Sequence, residues 1–302
     1  LRDMGARLVF YTVTDQLIPD IDACRTLASK GSPDIVVLVH YFGQPSSVEP
    51  MVSFCKEQEA YLVEDAAHVL RPIPGVGEAG DCVLYSPHKH LPISDGAVLV
   101  IRKNGPAQLV KKDIEMNVLR KICSEVIKSS RISNYLVGSW LIKRILQRLG
   151  VRSRTSFSSF RAEVNSDVSE IRGFGMSTLA KRLLYNLKDS LDEVASLRVQ
   201  HAMDWQNSLS LLNVFGLFLK PIFSEFTPYL ANFTGEQERD SEVLFNKLQH
   251  AGLPVLTWPD LPPEVMSNTQ LHQSAITLRH TRLYLPVHQS LNQQLILNYR
   301  KN

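Results

Sequence analysis

The chain has 302 residues, 44% hydrophobic and 21% charged, with 33 basic and 30 acidic side chains and a net charge of +3. A chain this long buries roughly 75% of its unfolded surface and needs no staple, and the composition excludes collagen, a cysteine-dense mini-protein and a largely disordered tail. The balanced charge, with no basic stripe, argues against nucleic acid as a partner.

Cys24, Cys55, Cys82 and Cys123 fit no CxxC metal spacing and no disulfide framework, so they read as free thiols in a reducing compartment. The longest apolar-rich stretch, Leu209 to Leu219, is broken by Ser210, Asn213 and Gly216 and is shorter than the roughly 18 residues of a membrane span. The N-terminus lacks the apolar core of a signal peptide. The expectation is a cytoplasmic protein of two domains, with no membrane partner. The chain opens on Leu1 rather than Met, which points to processing or to a cut from something longer.

In chain order, Arg7 to Val13 reads as a strand and Ile21 to Ser29 as a short helix. Asp34 to His40 is a continuous Val-rich run, the pattern of a strand buried on both faces. A helix follows, with Ser47 as its N-cap and Pro50 in its first turn. Val48, Met51, Val52 and Cys55 keep helical spacing along it. Ala60 to Val63 is the next strand, ending at Glu64 and Asp65, and Val83 to Ser86 and Ala97 to Ile101 follow. This alternation predicts right-handed crossovers and a mostly parallel sheet.

Ile132 to Leu149 reads as a basic amphipathic helix, either packed on the domain with a solvated edge or lying on a membrane surface. Arg152 to Asp167 reads as a loop, and Leu179 to Trp205 as one long helix or two. Strand-like runs lie at Leu211 to Pro221 and Tyr229 to Phe233, and a helix at Ser241 to Ala251 has Gly252 as its C-cap. Leu283 to Val287 is a last strand and Leu291 to Tyr299 a terminal helix. Residues 176–302 thus read as a smaller α+β domain behind a large domain at 1–175.

Two segments carry chemistry: Glu64-Asp65-Ala66-Ala67-His68 and Tyr85-Ser86-Pro87-His88-Lys89-His90, each just past a strand. Ligands in open parallel sheets sit outside the carboxyl ends of the strands. An acid and a lysine there form either a simple ion pair or the two protein handles of pyridoxal phosphate: a lysine for covalent attachment and a carboxylate for the pyridinium nitrogen. His88 and His90 lack a third ligand for a convincing metal site, so no metal is expected.

The motifs HYFGQP (His40 to Pro45), VEDAAH (Val63 to His68), GDCVLYSPHK (Gly80 to Lys89) and DGA (Asp95 to Ala97) resemble the DegT/DnrJ/StrS-type sugar aminotransferases. Trp258 to Pro262 and Leu285 to His288 are similar to that family's small domain. The resemblance implies a fold-type-I pyridoxal-phosphate transferase: an α/β, three-layer, mostly parallel sheet with a smaller C-terminal α+β domain. It implies Lys89 as the cofactor-bearing catalytic lysine, Asp65 at the pyridinium nitrogen, His68 near the ring and its 3-hydroxyl, Ala67 under the ring and Ser86 at the phosphate. The implied substrates are a keto-sugar, usually nucleotide-linked, and an amino-acid donor such as glutamate, handled by a homodimer.

The chain departs from the family in four places, one of them the short segment before Lys89, which sets Ser86 closer to the lysine than in most members. The family's earlier segment, with a Gly-Thr or Gly-Ser phosphate turn and a ring-stacking aromatic, is not found, so the large domain reads as N-terminally incomplete. His90 stands where Asn is common, and no Asn-Tyr-Arg segment is recognisable between 150 and 180. A catalytically silent homologue, or a fragment acting as a partner subunit, is therefore the alternative reading.

Overall fold

A computed structural model describes residues 5–102, 137–146, 160, 175–210, 218–219, 226–234, 237–250, 253, 255–258, 261–291 and 293–298. The segment read as a strand at Arg7 to Val13 forms only an isolated bridge between Val13 and Pro19. A turn closes there instead: the amides of Gln16 and Ile18 both donate to Thr14 Oγ1, and Leu17 takes a left-handed φ of 65°. α1 (Ile21–Ala28) starts where Asp20 caps it, its carboxylate accepting the Ala23 amide at 3.0 Å.

β1 (Ile35–Val39) leads through α2 (Glu49–Glu57) to β2 (Tyr61–Ala66), which pairs with it in parallel. Val48 takes the N-cap position of α2, and Ser47 hydrogen-bonds Glu49 rather than the backbone. β3 (Cys82–Tyr85) is parallel to β2, but β4 (Val98–Ile101) is antiparallel to β3. The sheet, in the order β1-β2-β3-β4, is therefore mixed.

α1 and α2 pack Cys24, Met51, Phe54 and Cys55 against Val36, Leu38 and Leu62. That covers one face of β1. Val36 and Leu38 are buried, whereas Ile35 is 55% and Val37 36% exposed. The expected two-sided burial of this strand is thus corrected to a one-sided, alternating pattern.

Residues 137–146 are helical (α3) and place Arg144 over the Trp140 ring. The rest of the helix read at 132–149, and the loop at 152–167 apart from Phe160, lie outside the described residues. α4 (Thr178–Leu187) and α5 (Leu191–Ser210) are two helices joined by a 3-10 turn. β5 (Phe218–Leu219), β6 (Leu230–Thr234), β7 (Leu256–Thr257) and β8 (Arg282–Pro286) form a second sheet, in the order β5-β6-β8-β7, with every pairing antiparallel. α6 (Glu238–His250), α7 (Pro263–Met266), α8 (Gln273–Thr281) and α9 (Gln293–Asn298) complete the described elements. The Gly252 cap lies outside them.

The larger core gathers Trp205, Ala231, Phe233, Phe245, Leu248, Leu283 and Leu285 on this second sheet. Trp205 stays buried because its indole N–H donates to the Pro286 carbonyl at 2.9 Å. Among the described residues no helix is long and apolar enough to cross a membrane.

Candidate active site

Asp65 lies near the carboxyl end of β2, in register with Val39 on one side and Leu84 on the other. Its Oδ1 accepts the Ala67 amide at 2.9 Å, a local turn that bends the chain off the strand. β3 ends one residue before Ser86, and a 3-10 turn, Pro87–Lys89, follows. The Ser86 carbonyl accepts the Lys89 amide at 3.0 Å. Neighbouring parallel strands thus deliver Asp65 and Lys89 to one end of the sheet.

Lys89 is half-buried, and its amine is shifted below the ordinary lysine range. Burial is the cause and outweighs the charge of Asp65, which pulls the other way. Lys89 Nζ lies 3.1 Å from His68 Nε2. The other ring nitrogen of His68, Nδ1, accepts the Phe42 amide at 3.3 Å. The imidazole lies flat on Tyr229, with ring centroids 4.3 Å apart and planes 7° apart. Burial, then the charge of Lys89, pushes His68 down to about 4.

Phe42 reaches His68 from an unusual backbone, with φ 57° and ψ 22°. Its ring stacks on Tyr284 at 4.4 Å and meets Trp258 edge-on at 5.4 Å. Its carbonyl accepts the Tyr229 amide at 2.9 Å. Gly43, at φ 89°, follows it, and a Cβ there would lie 2.5 Å from the Thr227 carbonyl oxygen and 2.8 Å from that of His68. Only glycine fits this crossing between the two sheets.

The Lys89 turn is anchored from behind through the His90 carbonyl. Gln289 Nε2 donates to it at 2.9 Å and Arg198 at 3.5 Å. Arg198, 2% exposed, also donates to the carbonyls of Pro228 and Tyr229. The His90 ring is fully buried against Tyr229, and neither of its nitrogens has a partner of good hydrogen-bond geometry among the described residues. Burial, then the charge of Arg198, pushes it down to about 2.

Asp65, His68 and Lys89 therefore converge, with Ala67 tied to Asp65. Ser86 is buried at the foot of the Lys89 turn, and its hydroxyl takes no partner among the described residues. His88 points away, its Nδ1 2.9 Å from the Gly96 carbonyl oxygen. The DGA segment is structural: Asp95 accepts the Ser177 amide at 2.8 Å, and Ser177 caps α4. Among the described residues no cluster of His, Cys, Asp or Glu is placed to hold a metal ion.

Sequence reasoning gave no role to Phe42, Tyr229, Arg198 or Glu64. A signal existed for Arg198: it falls on the stripe of buried Val194 and Ala202 at four-residue spacing, where a charge demands partners. Tyr229 carries no such signal, because its partner His68 is far away in the sequence.

Residues 1–138 match the DegT/DnrJ/EryC1/StrS aminotransferase family. Among curated proteins, the serine hydroxymethyltransferase of Thermococcus gammatolerans is 33% identical over 100 residues, 31% of this chain and 23% of that protein. That of Thermococcus kodakarensis is 31% identical over the same shares. The matched stretch thus spans about a quarter of these relatives.

Among solved structures, the chain is similar to Helicobacter pylori PseC, an aminotransferase of pseudoaminic acid biosynthesis, at 17% identity and TM-score 0.65. That match covers 99% of this chain and 73% of the other. A DegT/DnrJ/EryC1/StrS aminotransferase from Brucella abortus matches at 15% identity and TM-score 0.64, over 99% and 74%. At these identities the likeness shows the fold alone, and that fold is the expected α/β type.

Proposed function

We propose that the chain, which matches the DegT/DnrJ/EryC1/StrS aminotransferase family over residues 1–138, is a member of that family and uses pyridoxal phosphate to aminate a keto-sugar. The observation that carries the reading is the half-buried Lys89 amine, shifted below its usual range, on the strand end beside Asp65.

The donor set fits the cofactor. Lys89 would hold it covalently, Asp65 would face its pyridinium nitrogen, and His68 and Ala67 would lie beside and beneath its ring. Buried Ser86, at the start of the Lys89 turn, would offer its hydroxyl to an anionic oxygen. When bound, pyridoxal phosphate supplies an electron sink for the substrate carbon that loses or gains a proton.

The chain's own residues do the rest. Lys89 Nζ accepts that proton and returns it, a task that suits an amine brought toward neutrality. The Asp65 carboxylate, oriented by the Ala67 amide, sets a negative charge opposite a cationic ring. The flat stack of Tyr229 on His68 fixes the ring whose Nε2 lies 3.1 Å from that amine.

The finer reading is a nucleotide-linked keto-sugar as acceptor, an amino acid such as glutamate as donor, and a cytoplasmic homodimer. In it, residues 1–175 hold the cofactor and 176–302 form the smaller domain. A silent partner subunit would have no use for a desolvated lysine next to a carboxylate, so the enzymatic reading is preferred.

The test adds pyridoxal phosphate to the purified chain, reduces with borohydride, and maps the label by mass spectrometry. A near-visible absorbance band and a label on Lys89, both lost in Lys89→Ala, are expected. A label on another residue, or transamination that survives Lys89→Ala, would overturn the assignment.

A further inference from the structure

His68 is gripped at both ring nitrogens, and the grip fixes where its proton sits. The Phe42 N–H points at Nδ1, and a nitrogen that accepts an N–H bears no proton itself. The ring is neutral, because an imidazolium carries a proton on both nitrogens and could not accept the Phe42 amide at Nδ1. A neutral imidazole with a bare Nδ1 carries its proton on Nε2. Nε2 is the atom 3.1 Å from Lys89 Nζ. A hydrogen bond needs one donor and one acceptor, and the ring already supplies the donor. An ammonium group has three donors and no acceptor. The contact is therefore made by a neutral amine.

We infer that the Phe42 amide and His68 form a positioning relay that holds Lys89 as the unprotonated amine, with its lone pair on the Nε2 proton. The inference deepens the reading of Lys89 as the cofactor lysine and rests on that reading only for what the amine is used for.

The relay starts in the second sheet. Phe42 offers its amide to His68 only from its left-handed backbone, which costs free energy in a bulky residue. The Tyr229 amide on its carbonyl, Tyr284 and Trp258 on its ring, and the close approach of Gly43 to Thr227 hold it there. Among the described residues, the charged and titratable groups around the relay are Asp65, His90, Arg198 and Tyr229, whose phenol is pushed up by burial and so stays neutral. Asp65 on β2 favours the ammonium form of Lys89, burial opposes it, and His90 carries no charge near neutrality. Arg198 lies behind His90 and acts against any positive charge on that ring.

Two measurements on the full chain without cofactor test this. The first is two-bond proton–nitrogen correlation on 15N-histidine protein, with His68 assigned from His68→Gln. An Nε2-protonated pattern, constant from pH 6 to 8, is expected. An Nδ1-protonated ring or an imidazolium would overturn the relay. The second is the pH midpoint for acetylation of Lys89 by acetic anhydride, read by peptide mass spectrometry against exposed Lys56.

The Lys89 midpoint is expected below that of Lys56. His68→Phe keeps a flat ring against Tyr229 but has no donor, and it should raise the midpoint by about one pH unit, a tenfold change in amine fraction. An unchanged midpoint in a folded His68→Phe protein would overturn the proposal. Failure of Lys89 to take up pyridoxal phosphate would remove the functional reading and leave both of these readouts as they are.

Discussion

His40 Nε2 lies 3.0 Å from Glu64 Oε2, and both side chains are fully buried. The Ser46 amide donates to His40 Nδ1 at 3.0 Å, so the ring proton is on Nε2 and points at the carboxylate. Glu64 also accepts the amides of Gly77, Ala79 and Gly80 at 2.6, 3.2 and 2.6 Å. This residue, the neighbour of Asp65, ties the loop between β2 and β3 beneath the site.

Those hydrogen bonds outweigh burial and hold Glu64 down at about 2. A carboxylate depressed in the folded state stabilises above its unfolded pKa, near 4.5, and that stability is lost as pH falls toward 2. Glu64→Gln should therefore destabilise the protein at pH 7 by on the order of 3 kcal/mol. In urea titrations the difference between wild type and variant should shrink as pH drops below about 4. Equal denaturation midpoints at pH 7 would show that the carboxylate contributes nothing.

Gly43→Ala should be one of the costlier small substitutions in the chain. The added Cβ would meet two backbone carbonyl oxygens, at 2.5 and 2.8 Å, from a φ that disfavours alanine. A loss of about 2 to 4 kcal/mol follows, and the displaced Phe42 amide should release the His68 tautomer. Ala at Gly5, also at positive φ but with nothing within 4 Å, serves as the control for strain without a clash.

Arg198→Met should cost about 2 to 4 kcal/mol, because it strips three backbone carbonyls, those of His90, Pro228 and Tyr229, of a charged donor. Arg198→Lys should rescue little of this, since an ammonium cannot fork to several carbonyls in fixed directions. Thermal denaturation of the three proteins compares them directly. A lysine variant as stable as wild type would contradict the role given to the fork.

Much of this site was legible in the residues themselves, and the reason is local. Asp65, His68 and Lys89 sit within a few residues of strand ends, so apolar runs followed by polar residues locate them. The sheet was harder. β4 is as apolar as a parallel strand would be, and its direction depends on the Ser86 to Ala97 turn, which periodicity does not report. The helices α1 and α2 were readable from spacing, but that they leave Ile35 and Val37 uncovered was not. The groups that hold the lysine in place, Phe42, Tyr229 and Arg198, come together only through contacts between distant parts of the chain. No window of sequence contains them.

Four buried or half-buried histidines, His68, His90, His272 and His288, are held below the ordinary imidazole range by burial and make the fold sensitive to acid. Burial holds His68 at about 4, His90 at about 2 and His288 at about 4. Each takes up a proton in the unfolded chain as pH falls through about 6.5, while the native ring stays neutral. The unfolded state then binds more protons than the native one, so stability rises with pH across this window and is lost on acidification. Between about pH 6 and 4.5 each fully unprotonated ring contributes a slope of ~1.4 kcal/mol per pH unit.

His90 is the cleanest to isolate, because the bonds that anchor the Lys89 turn go to its backbone carbonyl and not to its ring. His90→Asn should keep those anchors and lower the slope of stability against pH by about that amount. Urea denaturation of both proteins at half-unit steps from pH 7 to 4.5 measures it. Parallel curves would mean that His90 is already charged in the native state, and a partner for the imidazolium would then have to be found beside Tyr229.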